Sequence, residues 1–358
     1  MSQFKHLFTP IKIGPVTVRN RIFSVHSTGF AEPIPGEPEV MLPSERHAYF
    51  YRERAKGGLG LIIAEASHVH PSSDYLFQSH LYDPRGIPML RKSAESVHEF
   101  GGKIFMQLQH AGHHTHNHRS MLPALSSSQS PDVASHSIPK EMEIEDIKEV
   151  QNAFAISANN AKEAGFDGFE LHGTHSYLIE QFLSPFYNKR QDEYGGSTEN
   201  RMRFVVELLE RIRQKIGYDV ALGIRMNIDE MLPGGLKIDE TQILARKLED
   251  TRLIDFLDVD VGTYHTLPFM IAPMNMPPLH QVDFISEIKK VVKKIPVLGC
   301  PGRLTDPRDA ERLLSEGHMD MVGGARVHIA DPEWANKAFN GRLDDIIKCI
   351  ACNWCLTR

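Results

Sequence analysis

Two histidines and a tyrosine stand close together in the run His172-Gly-Thr-His175-Ser-Tyr177. Two neutral imidazoles three residues apart can both donate hydrogen bonds to one oxygen, and the phenol can supply a proton. The run follows a short strand-like stretch, Gly165-Phe-Asp-Gly-Phe-Glu-Leu171, and leads into Leu178-Ile-Glu-Gln-Phe-Leu183, which reads as helix. The reactive groups therefore gather where a buried strand ends. In a parallel barrel, that exit is the catalytic face.

The elements that must position them are eight short β-rich runs alternating with helix-length segments. The runs are Arg21–Ser27, Leu59–Ser67, Lys103–Gln109, Phe166–His172, Val220–Asn227, Phe256–Gly262, Pro296–Gly302 and Met319–Arg326. Most are nearly continuous apolar stretches, such as Leu61-Ile-Ile-Ala64, as strands buried on both faces should be. Amphipathic helices such as Ile144–Ala164 and Glu199–Ile216 lie between them. Eight such units in series predict an α/β protein with a (β/α)8 TIM barrel. A doubly wound sheet is the alternative, but the first strand lacks the Gly-x-Gly-x-x-Gly turn that fold would open with. Two connections, His110 to about Glu143 and Thr263 to about Gln281, are too long to be joints and read as lids or substrate walls.

Phosphate sites in such barrels use the ends of strands seven and eight. Here those ends read Gly302-Arg303 and Gly323-Gly324-Ala325-Arg326. Glycines let backbone N–H groups approach a phosphate, and arginine neutralises its charge. Arg225 falls in the middle of the fifth strand, and an arginine in a barrel core must meet a negative charge. An ion pair with Asp258 or Asp260 is one way to supply it. Of the four cysteines, Cys349, Cys352 and Cys355 form C-x2-C-x2-C near the C-terminus. That spacing matches the thiolates of iron–sulfur sites, although no fourth cysteine follows before Arg358. Free thiols on a frayed tail are the alternative.

The long run Ser184-Pro-Phe-Tyr-Asn188-Lys-Arg190, followed by Tyr194-Gly-Gly-Ser-Thr-Glu-Asn200-Arg201, resembles the Old Yellow Enzyme family of FMN oxidoreductases. The resemblance covers nearly the whole chain and is closest to the 2,4-dienoyl-CoA reductase and trimethylamine dehydrogenase branch. It implies FMN, with NADH or NADPH as reductant. Its phosphate would lie at Gly302, Arg303, Gly324, Ala325 and Arg326, and Pro301 is an extra residue in that first turn. Arg225 would face the flavin N1 edge, where at about 4 Å and an effective dielectric of ~20 the attraction to a reduced flavin is roughly 4 kcal/mol before desolvation. Gln107 would meet the pyrimidine edge. The backbone near Ala66 and the pair Ser27-Thr28 would complete the cradle. Trimethylamine dehydrogenases carry a cysteine bonded to FMN at the position of Thr28, so a non-covalent flavin is implied here.

His172 and His175 match the pair with which ene-reductases grip a carbonyl or nitro oxygen, and Tyr177 matches the proton donor or a substrate contact. The implied reaction is reduction of an activated C=C bond in an enone, enoate or enoyl thioester. Dehydrogenation or demethylation of an N-methylated amine, with electrons passed to a 4Fe–4S cluster, is the alternative. Trimethylamine dehydrogenases have tyrosine where His172 stands and an acid in the sixth-strand loop. This loop, from Thr263 onward, has no Asp or Glu before Asp283. By the resemblance, residues 1–345 form the FMN barrel and 346–358 begin a truncated cysteine-rich segment. A C-terminal flavin domain would then be absent from this chain, and barrels would associate as a homo-oligomer.

A metal-dependent hydrolase or lyase on the same barrel is a competing class, because His110-Ala-Gly-His113-His114-Thr-His116-Asn-His118 is dense in histidine. A histidine run in a polar loop is usually solvated, and His172/His175 lack the i, i+4 spacing of helical zinc sites. In the family an arginine often follows this His-Ala-Gly, where His113 stands here. A non-catalytic electron-transfer module is a third class. The chain has 40 basic and 46 acidic residues without a basic block, which argues against nucleic acid. Its N-terminus has no signal-peptide core and no apolar run approaches a membrane span, so a cytoplasmic location is expected with a small-molecule substrate.

Overall fold

The computed structural model describes residues 2–25, 29–75, 77–116, 120–133 and 136–356. Eight parallel strands close into a barrel in chain order: β1 (Ile22–Val25), β2 (Leu61–His68), β3 (Lys103–Gln109), β4 (Gly168–Gly173), β5 (Ala221–Asn227), β6 (Phe256–Asp260), β7 (Val297–Gly299) and β8 (Met321–Gly323). The last strand pairs with the first through Val322 opposite Ile22. Parallel neighbours need crossovers. These are supplied by α1 (Glu45–Lys56), α2 (Ile87–His98), α3 (Ile144–Glu163), α4 (Thr198–Ile216), α5 (Ile238–Thr251), α6 (Val282–Val291) and α7 (Pro307–Ser315), with α8 (Trp334–Phe339) after the last strand. The (β/α)8 expectation holds, and closure excludes the open doubly wound sheet.

Helix α4 illustrates why these segments are helical. Ser197 caps it by accepting the Asn200 N–H at 3.3 Å, and Glu199 opposes the dipole in the first turn. Met202, Val205, Leu208, Leu209, Ile212 and Ile216 recur at helical spacing and are buried. Gly217, at φ 74°, ends it in a conformation only glycine adopts freely.

Inward positions alternate along each strand. Phe23, Leu61, Phe105, Ala221, Phe256, Leu298 and Met321 form an apolar cluster inside the barrel. An N-terminal hairpin of Ile11–Ile13 and Val16–Val18 adds its four apolar side chains to this cluster. Gly223 makes room for it, since a Cβ there would meet the Phe256 ring at 2.4 Å. Two residues further along the same strand faces the interior turns polar, with Gln107, Glu170, Arg225 and Asp258 all buried. An apolar plug thus supports a charged floor at the carboxyl ends of the strands.

Strand ends differ from expectation at the phosphate side. Strand β7 stops at Gly299 and β8 at Gly323, so Gly302, Arg303, Gly324 and Ala325 lie in loops and Arg326 opens a short helix, Arg326–Ala330. Pro301 and the left-handed Gly302 and Arg303 (φ 79° and 52°) turn the chain away before the seventh run is complete. Among the described residues, no helix is long and apolar enough to cross a membrane.

Candidate active site

Strand β4 delivers His172 opposite Arg225 in the β4–β5 register. The following turn is strained, with His175 and Ser176 both left-handed at φ 60° and 56°. Each such residue costs on the order of 1–3 kcal/mol and needs surrounding bonds to hold it. Those bonds are present. The buried carboxyl group of Glu180 accepts the Ser176 N–H and, at 2.8 Å, the Asn227 amide. Gln181 donates to the Ser176 carbonyl at 2.5 Å, and the Leu178 N–H reaches the His110 carbonyl at 3.1 Å. Burial and the neighbouring Glu230 carboxyl push Glu180 well above the usual carboxylate range.

The two imidazoles are not equivalent, which corrects the expectation of two matched donors. His175 Nε2 lies 3.0 Å from Asp260 Oδ2, so its N–H is committed to that carboxylate. His172 Nδ1 is buried with no partner. The rings meet edge to face at 5.1 Å, and His172 lies 4.8 Å from the Tyr177 ring. Burial lowers the pKa of both, for His172 with the charges of His175 and Arg225 adding to it and for His175 against the pull of Asp260, so His172 is neutral at neutral pH.

Arg225 is 6% exposed and pairs with Asp260 through Nη2 and with Asp258 at 3.5 Å through Nε. The ion pair named as one use of this arginine is therefore made. Its Nε and Asp258 Oδ2 nevertheless lack hydrogen-bond partners. Burial works to raise Asp260, but Arg225 and His175 overcome it and hold Asp260 below the usual range. Burial lifts Asp258 to about 7 against the pull of Arg225. Gln107 donates to Glu170 Oε1 at 2.6 Å, which fixes its amide and leaves its carbonyl for another partner. Glu170 itself is held well above its ordinary pKa, first by burial and then by the Asp258 charge. Ala66 is brought opposite Gln107 by a bulge between Ile63 and Ala66.

Tyr177 is 5% exposed, and its hydroxyl lies 2.9 Å from that of Tyr264, which receives a bond from Tyr75 at 3.2 Å. Sequence reasoning missed Tyr75 and Tyr264, which stand in loops after β2 and β6 with no spacing to betray them. It also missed Glu170 as a site residue, although Glu170 shares the inward face of β4 with His172. Asp260 was weighed only as a partner for Arg225. The search for an acid began in the loop at Thr263, yet the last residue of β6 carries one into the site.

Arg303 Nη1 donates to the Met274 carbonyl at 2.9 Å and to that of Met276, while its Nε is buried without a partner. Arg326 Nη1 donates to Ala272 O at 2.7 Å and to Asn353 Oδ1 at 2.5 Å. The loop after β6 thus lies against both arginines. The Asn353 bond also brings the cysteine segment beside Arg326. There the Ala351 N–H points at Cys349 Sγ, 3.4 Å away, and Cys352 and Cys355 are exposed free thiols. Ser27 and Thr28, and His118 of the histidine run, lie outside the described residues.

The histidine-rich loop departs from expectation. His110, His113 and His114 are buried rather than solvated, because the loop packs on the turn after β4. His114 Nδ1 bonds the Asp132 carboxylate and its Nε2 lies 2.9 Å from Ser176 Oγ. Among the described residues His113, His114 and Asp132 bring ligand atoms within 4.8 Å of one another, a set that His172 and His175 do not join.

Comparison with known proteins gives a concordant result. The model of the NADH:flavin oxidoreductase / NADH oxidase family matches residues 6–345. The chain is 39% identical to an NADH oxidase of Thermoanaerobacter brockii over 99% of this chain and 54% of that protein. It is 36% identical to an N,N-dimethylglycine/sarcosine dehydrogenase of Chromohalobacter salexigens, over 99% of this chain and 51% of that one. A 2-naphthoyl-CoA reductase in complex with 2-naphthoyl-CoA superposes with a TM-score of 0.90 at 30% identity, covering 98% of this chain and 54% of that structure. The chain spans about half the length of these relatives.

Proposed function

The chain belongs to the NADH:flavin oxidoreductase / NADH oxidase family, and from that premise we propose that it reduces an activated C=C bond of an enone, enoate or enoyl thioester. FMN is the flavin of this family; when bound it supplies hydride and is itself reduced by NADH or NADPH. The residues present fit it. Buried, unpartnered donors remain on Arg225 and Arg303, and Gln107 has its amide pinned with the carbonyl left over. Gly302, Arg303, Gly324, Ala325 and Arg326 would hold the phosphate. Arg225 and Gln107, with the backbone near Ala66, would hold the ring edge, and Ser27 and Thr28 would complete the contact.

The observation that carries the reading is His172, a neutral buried imidazole with a free ring nitrogen beside Tyr177. His172 would hold the substrate oxygen by a hydrogen bond and withdraw charge from the double bond. His175, anchored on Asp260 at 3.0 Å, would pack beside the oxygen and orient the His172 ring, which it meets edge to face. Tyr177 would deliver the proton to the carbon next to the activating group. Burial and the neighbouring Tyr75 raise its pKa, so it is protonated at every working pH. Product analysis tests this: FMN-loaded protein with NADH or NADPH should saturate enones or enoates, and failure across such a panel defeats the reading.

Amine dehydrogenation is the second reading, favoured by the Asp260 carboxylate on His175, whose ring lies 6.4 Å from that of Tyr177, and by the phenols of Tyr264 and Tyr75 bonded in series to Tyr177. Flavin bleaching by tertiary amines under anaerobic conditions would select it. In a longer polypeptide, Cys349, Cys352 and Cys355 would contribute to a 4Fe–4S cluster that exchanges electrons with FMN.

A further inference from the structure

We infer that Tyr75, Tyr264 and Tyr177 form a directed proton relay that restores the Tyr177 proton after its transfer to substrate carbon. The inference rests on the ene-reduction reading. Three separate loops, after β2, β4 and β6, bring these hydroxyls into line at 3.2 and 2.9 Å. A phenol has one proton to give. Tyr75 gives its proton to Tyr264, so the Tyr264 proton goes to Tyr177, and the Tyr177 proton is left for substrate. Ring contacts hold the line in place: Tyr75 meets Tyr177 and Tyr264 edge to face at 6.1 and 6.4 Å.

The direction has a physical reason. Once Tyr177 gives up its proton it becomes a phenolate with 5% of its surface exposed, far from enough water to solvate it. Burial raises the pKa of all three phenols above the ordinary value. A proton must follow at once, and the Tyr264 hydroxyl is the donor within reach. Tyr75, only partly buried, connects the line to solvent. Its ring also meets that of the exposed His116 at 5.0 Å, and the His114 ring, bonded to Asp132, lies 4.6 Å from that of Tyr264. The step balances. A C–H bond forms with the Tyr177 proton, Tyr264 reprotonates Tyr177, Tyr75 reprotonates Tyr264, and water reprotonates Tyr75. The phenols carry no electrons, because the hydride comes from the cofactor reduced by nicotinamide.

The test is stopped-flow reoxidation of dithionite-reduced FMN protein by 2-cyclohexen-1-one in mixtures of H2O and D2O. Wild type should give a curved proton inventory, with more than one proton in flight. Tyr264→Phe should reoxidise about 100-fold more slowly, the lower end of the ~10²–10⁴-fold that one proton-transfer group contributes, with the curvature gone. Tyr75→Phe should move in the same direction by less, and it carries the test if Tyr264→Phe does not fold. A readout independent of turnover is the infrared C–O band of ring-labelled tyrosine, which should shift for Tyr177 in Tyr264→Phe. Unchanged rate, inventory and band in both variants overturn the relay alone. A wild-type reduced flavin that no activated alkene reoxidises overturns the ene-reduction reading and the relay with it.

Discussion

The His175 ring stands 3.0 Å from the Asp260 carboxylate, which also holds Arg225, so one buried anion ties a substrate-side imidazole to a cofactor-side guanidinium. Breaking a buried pair by removing one partner costs about 3–5 kcal/mol. Asp260→Asn should therefore lower stability by roughly that much in urea unfolding, with FMN binding weakened. The folded-state pKa of Asp260 is depressed. Its stabilisation is present above the ordinary carboxylate range and lost only as pH falls through the lower folded value. The wild-type advantage over Asp260→Asn should thus be constant near neutrality and shrink in acid. Equal stability at pH 7 contradicts the pairing.

Asp258 has the opposite sign. Its folded pKa is raised to about 7, so between roughly pH 4 and 7 the folded state holds a proton that the unfolded chain has released. Stability contributed by this group is complete below about pH 4 and declines as pH rises, at up to ~1.4 kcal/mol per pH unit, levelling off above 7. Glu230, also lifted to about 7, adds the same trend. Asp258→Asn should flatten the urea-derived stability profile between pH 4 and 7, and an unaltered slope shows that Asp258 ionises normally.

The unequal imidazoles predict unequal variants. His172→Ala should weaken binding of a phenol or enone by about 1.5–3 kcal/mol, the loss of a hydrogen bond to a strongly polarised oxygen, and leave FMN in place. His175→Ala should cost a similar or smaller amount and also disturb Asp260. Flavin-perturbation titrations measure both, and full affinity in His172→Ala removes that ring from the site.

Much of this was legible in advance because the inward residues of each strand obey a period of two. Phe105 and Gln107, Phe256 and Asp258, and Gly223 and Arg225 change from apolar to polar on one face, which marks the level at which the barrel interior meets the site. The run Lys103–Gln109 matched its strand to the residue, since a buried strand has no polar outer face to blur its ends. The seventh and eighth strands were over-read, because the glycines after them resemble strand to a pattern of apolar residues. The convergence of Tyr75 and Tyr264 depends on loop paths that hydrophobic periodicity does not encode. The burial of His113 and His114 depends on Asp132 and Ser176, neither of which is near in sequence.

Arg225 faces acids already, so its effect on the flavin should show as a change of potential. Arg225→Lys should retain FMN at a lowered potential, while Arg225→Ala should lose FMN or lower the potential further, leaving two buried acids uncompensated. Spectroelectrochemistry against a reference dye decides it, and an unmoved midpoint potential in Arg225→Lys and Arg225→Ala places the guanidinium away from the flavin.

A threonine at position 28 cannot form the thioether that a cysteine would. Acid precipitation should release all the flavin to the supernatant, and yellow colour retained in the pellet refutes a non-covalent cofactor.

The most direct test of the account is a crystal structure of the FMN-loaded protein with a bound phenol. It should place the phosphate between Gly302-Arg303 and Gly324-Ala325-Arg326, the ring edge against Gln107 and Arg225, and the phenol oxygen within hydrogen-bond distance of His172. A metal ion at the barrel mouth, or a flavin whose open face lies away from His172 and Tyr177, would contradict it.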